Sequence, residues 1–166
     1  MSLSADLRTG TSGLRLVACG SAKGVSLKSI QVGAPPDMYN QLGQNWSQPP
    51  WNPVHLAASA YRPLRDMVRT VLRHAGALRV DHIIGLFRLW WIPEGMGAHE
   101  GAYVRYDYEA MIGVVLLEAY RAGAVMIGED LGTVEPWVRD YLAARELLLT
   151  IKLQSFSFLF PATPRR

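Results

Sequence analysis

The sequence predicts an α/β fold in which strands and helices alternate to build a parallel sheet. Short apolar runs of strand length, "ALRVDHII" and "AVMIG", alternate with longer segments of helical pattern. Such alternation is typical of βα units and parallel sheets. The composition agrees, because 166 residues with 49% hydrophobic and 19% charged residues are enough for one domain with a core.

The first half of the chain contains a long loop and then one βα repeat. Residues 1–31 show no sustained periodicity. Residues 33–53, "GAPPDMYNQLGQNWSQPPWNP", are rich in proline, glycine and aromatic residues, which predicts a long, ordered loop. A helix is expected from an N-cap at Ser59 to about Ala75, and the strand "ALRVDHII" follows it.

The second half repeats the pattern. Residues 86–106 predict another aromatic-rich loop. Asp107 is the expected N-cap of a largely apolar helix that ends at Gly123. The strand "AVMIG" comes next, Thr133 is expected to cap a further helix with Glu135 and Pro136 in its first turn, and "LLLTIKL" predicts one more strand.

The positive charge of the chain does not indicate a nucleic-acid partner. The net charge is +3 and the pI is about 9.2. Arg62, Arg65, Arg69 and Arg73 are spaced by three and four residues, which predicts the solvated face of an amphipathic helix rather than a phosphate-binding surface. No recognition motif for nucleic acid accompanies them.

The sequence also predicts a cytoplasmic protein without a membrane segment. Its apolar runs are much shorter than the roughly 20 residues of a membrane-spanning helix, and the N-terminus has no signal-peptide pattern. The single cysteine, Cys19, excludes an internal disulfide and fits a reducing compartment. The histidines show no metal-ligand spacing, so neither a metal nor another cofactor is expected.

Two acidic residues stand where the predicted strands end. Asp81 ends one strand, and Glu129 follows the next in "VMIGEDLGTVEP". The carboxyl ends of parallel strands share one rim, where α/β proteins bind ligands, so the two carboxylates are expected side by side. Retaining glycosidases use a pair of carboxylates about 5 to 5.5 Å apart. Asp130 and Glu135 are interpreted as structural acids near a helix N-terminus.

Four long motifs extend this interpretation to a family. They are "VGAPPDMYNQLGQNWSQPPWNP", "LRVDHIIGLFRLWWIPEG", "GAYVRYDYEAMIG" and "VMIGEDLGTVEPWVRDYL". In this order they resemble the 4-alpha-glucanotransferases, also called amylomaltases or disproportionating enzymes, of glycoside hydrolase family 77. The resemblance covers about residues 32–146 and implies a partial (β/α)8 barrel of the TIM type, comprising the middle βα units and a long substrate-binding loop.

The resemblance implies a role for each matching residue. Asp81 matches the nucleophile that forms a covalent glycosyl-enzyme, Arg79 the arginine that keeps this nucleophile ionised, and Glu129 the general acid/base. Residues that match the substrate groove are Asp37, Gln44, Trp46 and His82. The implied substrate is a maltooligosaccharide or another α-1,4-glucan, and the implied reaction transfers a glucan segment to the 4-hydroxyl of a second chain.

The chain also departs from the family pattern. Family members are several times longer, and the third carboxylate of their site has no counterpart here. Residues 154–166 form an atypical tail, so the expected division is a segment 1–31, a partial barrel 32–153 with its loop at 33–53 and βα units over 58–153, and the tail. An open barrel edge predicts self-association. An inactive glucan-binding remnant and a truncated product remain alternatives to a working transferase.

Overall fold

The described residues form two four-stranded sheets, one parallel and one antiparallel. The computed structural model describes residues 4–8, 27–130 and 134–149. Strands β1, β4, β7 and β8 form the parallel sheet, and β2, β3, β5 and β6 form the antiparallel one. The strand bounds are Ser4–Arg8 (β1), Ile30–Ala34 (β2), Gln44–Gln48 (β3), Ala77–Asp81 (β4), Arg88–Pro93 (β5), Ala102–Arg105 (β6), Val125–Gly128 (β7) and Leu148–Leu149 (β8).

Within the described ranges, four α-helices connect these strands or pack beside them. Helix α1 begins where the side chain of Asn52 accepts hydrogen bonds from the backbone amides of Val54 and His55. Helix α3 is capped by Asp107, whose side chain accepts from the Ala110 amide, and it ends at Gly123 in the left-handed conformation, as predicted. The helix bounds are Pro53–Ala58 (α1), Arg62–Leu72 (α2), Tyr108–Ala122 (α3) and Pro136–Ala143 (α4).

The parallel sheet confirms the predicted βα pattern. The strand order is β1-β4-β7-β8. β4 pairs in parallel with β7 from Ala77 opposite Val125 to Val80 opposite Gly128, and β7 pairs in parallel with β8. Of the predicted strand "LLLTIKL", residues 150–153 lie outside the described residues.

The antiparallel sheet corrects the two loop predictions. The segment 33–53 is not an irregular loop throughout, because it contains the end of β2, all of β3 and the start of α1. Residues 86–106 likewise contain β5 and β6. The strand order is β3-β2-β5-β6, and a bulge interrupts the β2–β3 pairing beside Gly33. A side chain at Gly33 would overlap the backbone of Gln44, so the close pairing of these strands requires glycine.

Two helix starts also differ from the prediction. The residue before α2 is Tyr61, which has a left-handed backbone, rather than Ser59; Ser59 instead ends α1. The N-cap residue of α4 is Glu135. Thr133, the predicted cap, lies outside the described residues, as do Cys19 and the tail 154–166.

The core lies between the parallel sheet and the helices. Leu78 and Val80 of β4 are fully buried in it, together with Leu64 and Val68 of α2. Alternate residues of the same strand, Arg79 among them, are only partly buried. The two faces of β4 are therefore different: one packs into the core, and the other carries the polar residues.

The arginine stripe on α2 is largely exposed, as predicted, and one of its members also contacts α3. Arg69 makes two hydrogen bonds to Glu118 of α3, from Nε at 2.8 Å and Nη2 at 2.9 Å. Arg121 donates a third at 2.8 Å. Glu118 is 3% exposed, and Arg69 therefore takes part in the contact between α2 and α3. Among the helices that the structure describes, none is long and apolar enough to cross a bilayer.

Candidate active site

The two predicted carboxylates lie together at the carboxyl ends of adjacent parallel strands. Val80 of β4 is paired with Gly128 of β7. The next residue on each strand is Asp81 or Glu129, and the Glu129 amide donates to the Val80 carbonyl at 2.8 Å. Because side chains alternate along a strand, residues one step beyond a registered pair leave the sheet on the same face. Both carboxylates are thus on the face opposite the helical core.

Arg79 lies on the same face of β4 and contacts Asp81. Its Nη2 atom donates to Oδ1 of Asp81 at 2.8 Å. The two residues are two positions apart on one strand, which places their side chains next to each other. A charge-assisted hydrogen bond of this length restricts the orientation of the carboxylate. The arrangement suits a carboxylate that has to present one oxygen in a fixed direction.

Glu129 is buried and held by the turn that follows β4. Glu129 is 8% exposed, and its Oε2 atom accepts a hydrogen bond from the His82 amide at 2.8 Å. The Glu129 carbonyl accepts from the Ile83 amide at 2.9 Å. The turn that directly follows Asp81 therefore holds both the backbone and the side chain of Glu129.

Asp130 has a structural contact, as the sequence indicates. It is 1% exposed, and its Oδ2 atom accepts a hydrogen bond from Nε of Arg139 at 3.2 Å. Arg139 belongs to α4, so this ion pair connects the rim of the sheet to the helix after β7. The adjacent acids Glu129 and Asp130 thus have different surroundings, one at the turn of β4 and the other against a helix.

His82 stands between the two carboxylates and the antiparallel sheet. Burial lowers the pKa of His82, and the charges of Glu129 and Asp81 oppose that effect. The imidazole is therefore neutral at neutral pH. Its ring meets the Trp46 indole edge-on, with 5.4 Å between ring centroids. A neutral imidazole beside an indole offers one hydrogen-bond donor and one acceptor next to an apolar surface.

The three predicted groove residues of the antiparallel sheet and its loop fall into two groups. Gln44 and Trp46 are on the same face of β3, and the Trp46 indole donates to Oε1 of Gln44 at 3.0 Å. Trp46 then reaches the rim through His82. Asp37 is exposed, and its Oδ1 atom accepts from the amides of Tyr39 at 2.8 Å and Asn40 at 2.6 Å. The structure thus connects Gln44, Trp46 and His82, whereas the Asp37 side chain stabilises a turn.

The packing of Ile83 against Gly128 was not predicted from the sequence. Ile83 is fully buried and packs over Gly128, where an added Cβ would lie 3.1 Å from Cγ1 of Ile83. The signal in the sequence was small, since a single glycine before two acids is common in a strand end. Arg139 was also missed as the partner of Asp130, because their contact joins a rim and a helix.

Known proteins are similar to this chain in sequence and in structure. The profile of the family described as 4-alpha-glucanotransferase matches residues 19–163. The chain belongs to the 4-alpha-glucanotransferase family. A 4-alpha-glucanotransferase from Mycobacterium tuberculosis is 66% identical over 126 residues, which is 76% of this chain and 17% of the relative. One from Haemophilus influenzae is 47% identical over 111 residues, covering 67% of this chain and 16% of the relative.

Solved structures of the 4-alpha-glucanotransferase family share this α/β fold. The crystal structure of amylomaltase from Corynebacterium glutamicum is similar with a TM-score of 0.79 and 50% identity, over 88% of this chain and 21% of that one. Amylomaltase from Streptococcus agalactiae in complex with acarbose has a TM-score of 0.73 at 19% identity, over 87% of this chain and 30% of that one. This chain thus spans about a fifth of the length of the 4-alpha-glucanotransferases that it matches.

Proposed function

We propose that this chain carries part of the active site of a 4-alpha-glucanotransferase, which transfers α-1,4-glucan segments between maltooligosaccharides. The observation that carries the proposal is the placement of Asp81 and Glu129 beside each other at the ends of β4 and β7. Membership of the 4-alpha-glucanotransferase family supports the reaction class. The proposed fold of the complete unit is a (β/α)8 barrel, of which the parallel sheet supplies a part.

The proposed mechanism is a double displacement that retains the anomeric configuration. An oxygen of the Asp81 carboxylate forms a bond to the anomeric carbon of the donor. The bond from that carbon to the leaving oxygen breaks, and Glu129 gives this oxygen its proton. In the second step the 4-hydroxyl of the acceptor attacks the same carbon and loses its proton to Glu129, and the bond to Asp81 breaks. No cofactor takes part.

The groove residues have proposed roles that their contacts support. The Trp46 indole is oriented by Gln44 through its N–H group, and its apolar faces suit the stacking of a glucose ring. The neutral His82 imidazole suits a hydrogen bond to a sugar hydroxyl. A glycosyl-enzyme reacts with an acceptor sugar rather than with water only where the site excludes water. We propose that the antiparallel sheet, including Trp46, provides this cover.

We propose a division of the chain into a barrel part and two flanking segments. Residues 32–153 are proposed to form the barrel part, with 1–31 and 154–166 as flanking segments. Within the part of the chain that the structure describes, β1 and β8 are the outer strands of the parallel sheet. We therefore propose that the chain self-associates through a sheet edge. Elution as a monomer at all concentrations in size-exclusion chromatography would contradict this.

The deciding experiment is incubation of the purified chain with maltotriose. Transfer of a maltosyl group yields glucose and maltopentaose, and both products are expected to disappear in Asp81→Asn. The control Asp140→Asn changes an exposed aspartate of α4 and should keep the activity. An Asp81→Asn variant as active as the wild type would overturn the proposed role of Asp81, and a folded wild-type chain that forms neither product would show that this part of the active site does not transfer glucan by itself.

A further inference from the structure

Two backbone hydrogen bonds and one from a backbone amide to the side chain join the end of β4 to Glu129. The Glu129 amide donates to the Val80 carbonyl at 2.8 Å, and the Ile83 amide donates to the Glu129 carbonyl at 2.9 Å. The His82 amide donates to Oε2 of the Glu129 side chain at 2.8 Å. Backbone donors cannot change rotamer, so they orient a carboxylate more rigidly than flexible side chains do.

The turn that supplies these donors has an unusual conformation. His82 has φ 52° and ψ 57°, in the left-handed region that residues other than glycine rarely adopt. Such strained residues persist where the surroundings determine them, and they cluster at functional sites. The turn carries the chain from β4 into the 3-10 helix Ile83–Leu86, and the buried Ile83 then packs over β7.

Gly128 provides the room for this packing. A Cβ at this position would lie 3.1 Å from Cγ1 and 3.2 Å from Cβ of Ile83, and 2.8 Å from Cδ2 of Leu147. Ile83 is 0% exposed and is surrounded by the core, so it has little space in which to withdraw. Displacing Ile83 also displaces its amide and the adjacent His82 amide, which are the donors to Glu129.

We propose that Gly128 is a positioning residue for Glu129. By lacking a side chain, it allows the turn after β4 to come close enough to β7 for the His82 amide to hold the Glu129 carboxylate. That amide is part of the peptide that follows Asp81, so it holds the Glu129 carboxylate against the backbone next to Asp81. The roles of Asp81 and Glu129 in this inference rest on the proposed function, whereas the positioning itself does not.

The first test measures amide hydrogen exchange and needs no activity. In the ¹⁵N-labelled chain, exchange at His82 is compared with exchange at Val80, which lies two residues earlier. We expect Gly128→Ala to raise the ratio of the His82 rate to the Val80 rate at least about tenfold. The reason is that the turn at His82 would open more often while the rest of the chain stays folded. An unchanged ratio would show that the space above Gly128 does not control the turn after β4, and it would overturn the proposal.

A matched control makes the same chemical change elsewhere. Gly113 lies in α3, and a Cβ added there meets no atom within 4 Å. Gly113→Ala should leave the ratio of the two exchange rates as it is in the wild type. If Gly113→Ala raised the ratio as much as Gly128→Ala did, the effect would not come from the contact with Ile83, and the proposal would fail.

The second test separates positioning of an acid from general damage to the site. Cleavage of maltotriose requires a proton on the leaving sugar oxygen, whereas α-maltosyl fluoride releases fluoride without one. We expect Gly128→Ala to lower kcat/KM for maltotriose at least about tenfold, as misplacing a general acid does, and to leave the fluoride substrate within about threefold. Equal losses on both substrates would contradict the proposal.

The two tests also distinguish this proposal from the proposed function. If Asp81→Asn were as active as the wild type, the proposed role of Asp81 would fail, and a wild-type chain that formed no products would not be a working transferase by itself. The exchange ratio at His82 would still decide whether Gly128 positions the Glu129 carboxylate. If transfer depended on Asp81 and the exchange ratio did not change in Gly128→Ala, the function would stand and the positioning role would fall.

Discussion

Replacing Glu118 by glutamine should weaken the contact between α2 and α3, which pack behind β4. The Glu118 carboxylate accepts hydrogen bonds from Nε and Nη2 of Arg69 and from Nη1 of Arg121, all between 2.8 and 2.9 Å. Glutamine keeps the shape of the side chain but removes the charge and one acceptor oxygen. The substitution therefore tests the charged hydrogen bonds without creating a cavity.

The exposure of the partners sets the size of the expected effect. Removing one member of a fully buried ion pair costs about 3–5 kcal/mol. Here the Arg69 and Arg121 side chains are 48% and 54% exposed, so water solvates them once the carboxylate is gone. Hydrogen bonds to a charged group contribute about 1.5–3 kcal/mol. We expect the free energy of unfolding to fall by about 2 kcal/mol at pH 7, and Tm by about 5 °C.

The effect should also depend on pH in a defined direction. The hydrogen bond from Arg69 is the main reason that the pKa of Glu118 lies below its ordinary value of 4.5 in the folded chain. Between the lower folded pKa and the unfolded one, the unfolded chain binds more protons, so stability rises with pH there. The contribution is complete above about pH 4.5 and is lost as the pH falls through the folded pKa.

Urea unfolding followed by circular dichroism checks both statements. The wild type and Glu118→Gln are compared at pH 7, pH 5 and the lowest pH at which the wild type remains folded. Glu94→Gln, which alters an exposed glutamate, is the control and should match the wild type. A difference below about 0.5 kcal/mol at pH 7, the size of an ordinary surface substitution, or a difference that stays constant into the acidic range, would refute the reasoning.

Three further predictions concern binding and local stability. Trp46→Ala should weaken maltooligosaccharide binding about tenfold in calorimetry through lost stacking, whereas Trp137→Ala, which removes an exposed indole of α4, should not; equal losses would exclude Trp46 as a specific contact. Asp107→Ala should reduce the free energy of unfolding by about 1 kcal/mol, since it removes the N-cap of α3, and an unchanged urea midpoint would contradict this. Gly113→Ala should raise the urea midpoint by the equivalent of about 0.5–1 kcal/mol, because alanine is favoured in an open helical position; a lower midpoint would mean that the position is crowded.

The elements that sequence reasoning predicted best are those whose signals are local. The α3 helix has a capping aspartate at Asp107 and a terminal glycine at Gly123, and both act within one helical turn. The strands β4 and β7 are apolar runs of strand length between helices, and their parallel pairing follows from that order. The positions of Asp81 and Glu129 at one edge of the sheet could be predicted because Asp81 ends β4 and Glu129 directly follows β7.

The antiparallel sheet was mistaken for two loops because its signals are not local. Residues 33–53 and 86–106 are rich in proline, glycine and aromatic residues, which usually predicts turns. β2 nevertheless pairs with β5 over a long sequence separation, and such pairing depends on tertiary contacts more than on propensity. The contact of Trp46 with His82 has the same origin, since these residues come from different sheets.

The sequence by itself determined the α/β class, the family and the two carboxylates at the rim, because these depend on short motifs and on the period of apolar residues. Only the tertiary structure decided how Glu129 is held, through the left-handed His82, the buried Ile83 and the space above Gly128. It also decided that Glu118 binds Arg69 across two helices. The reason is physical: hydrogen bonds and close packing between distant segments depend on the distances between them, and those distances exist only once the chain has folded.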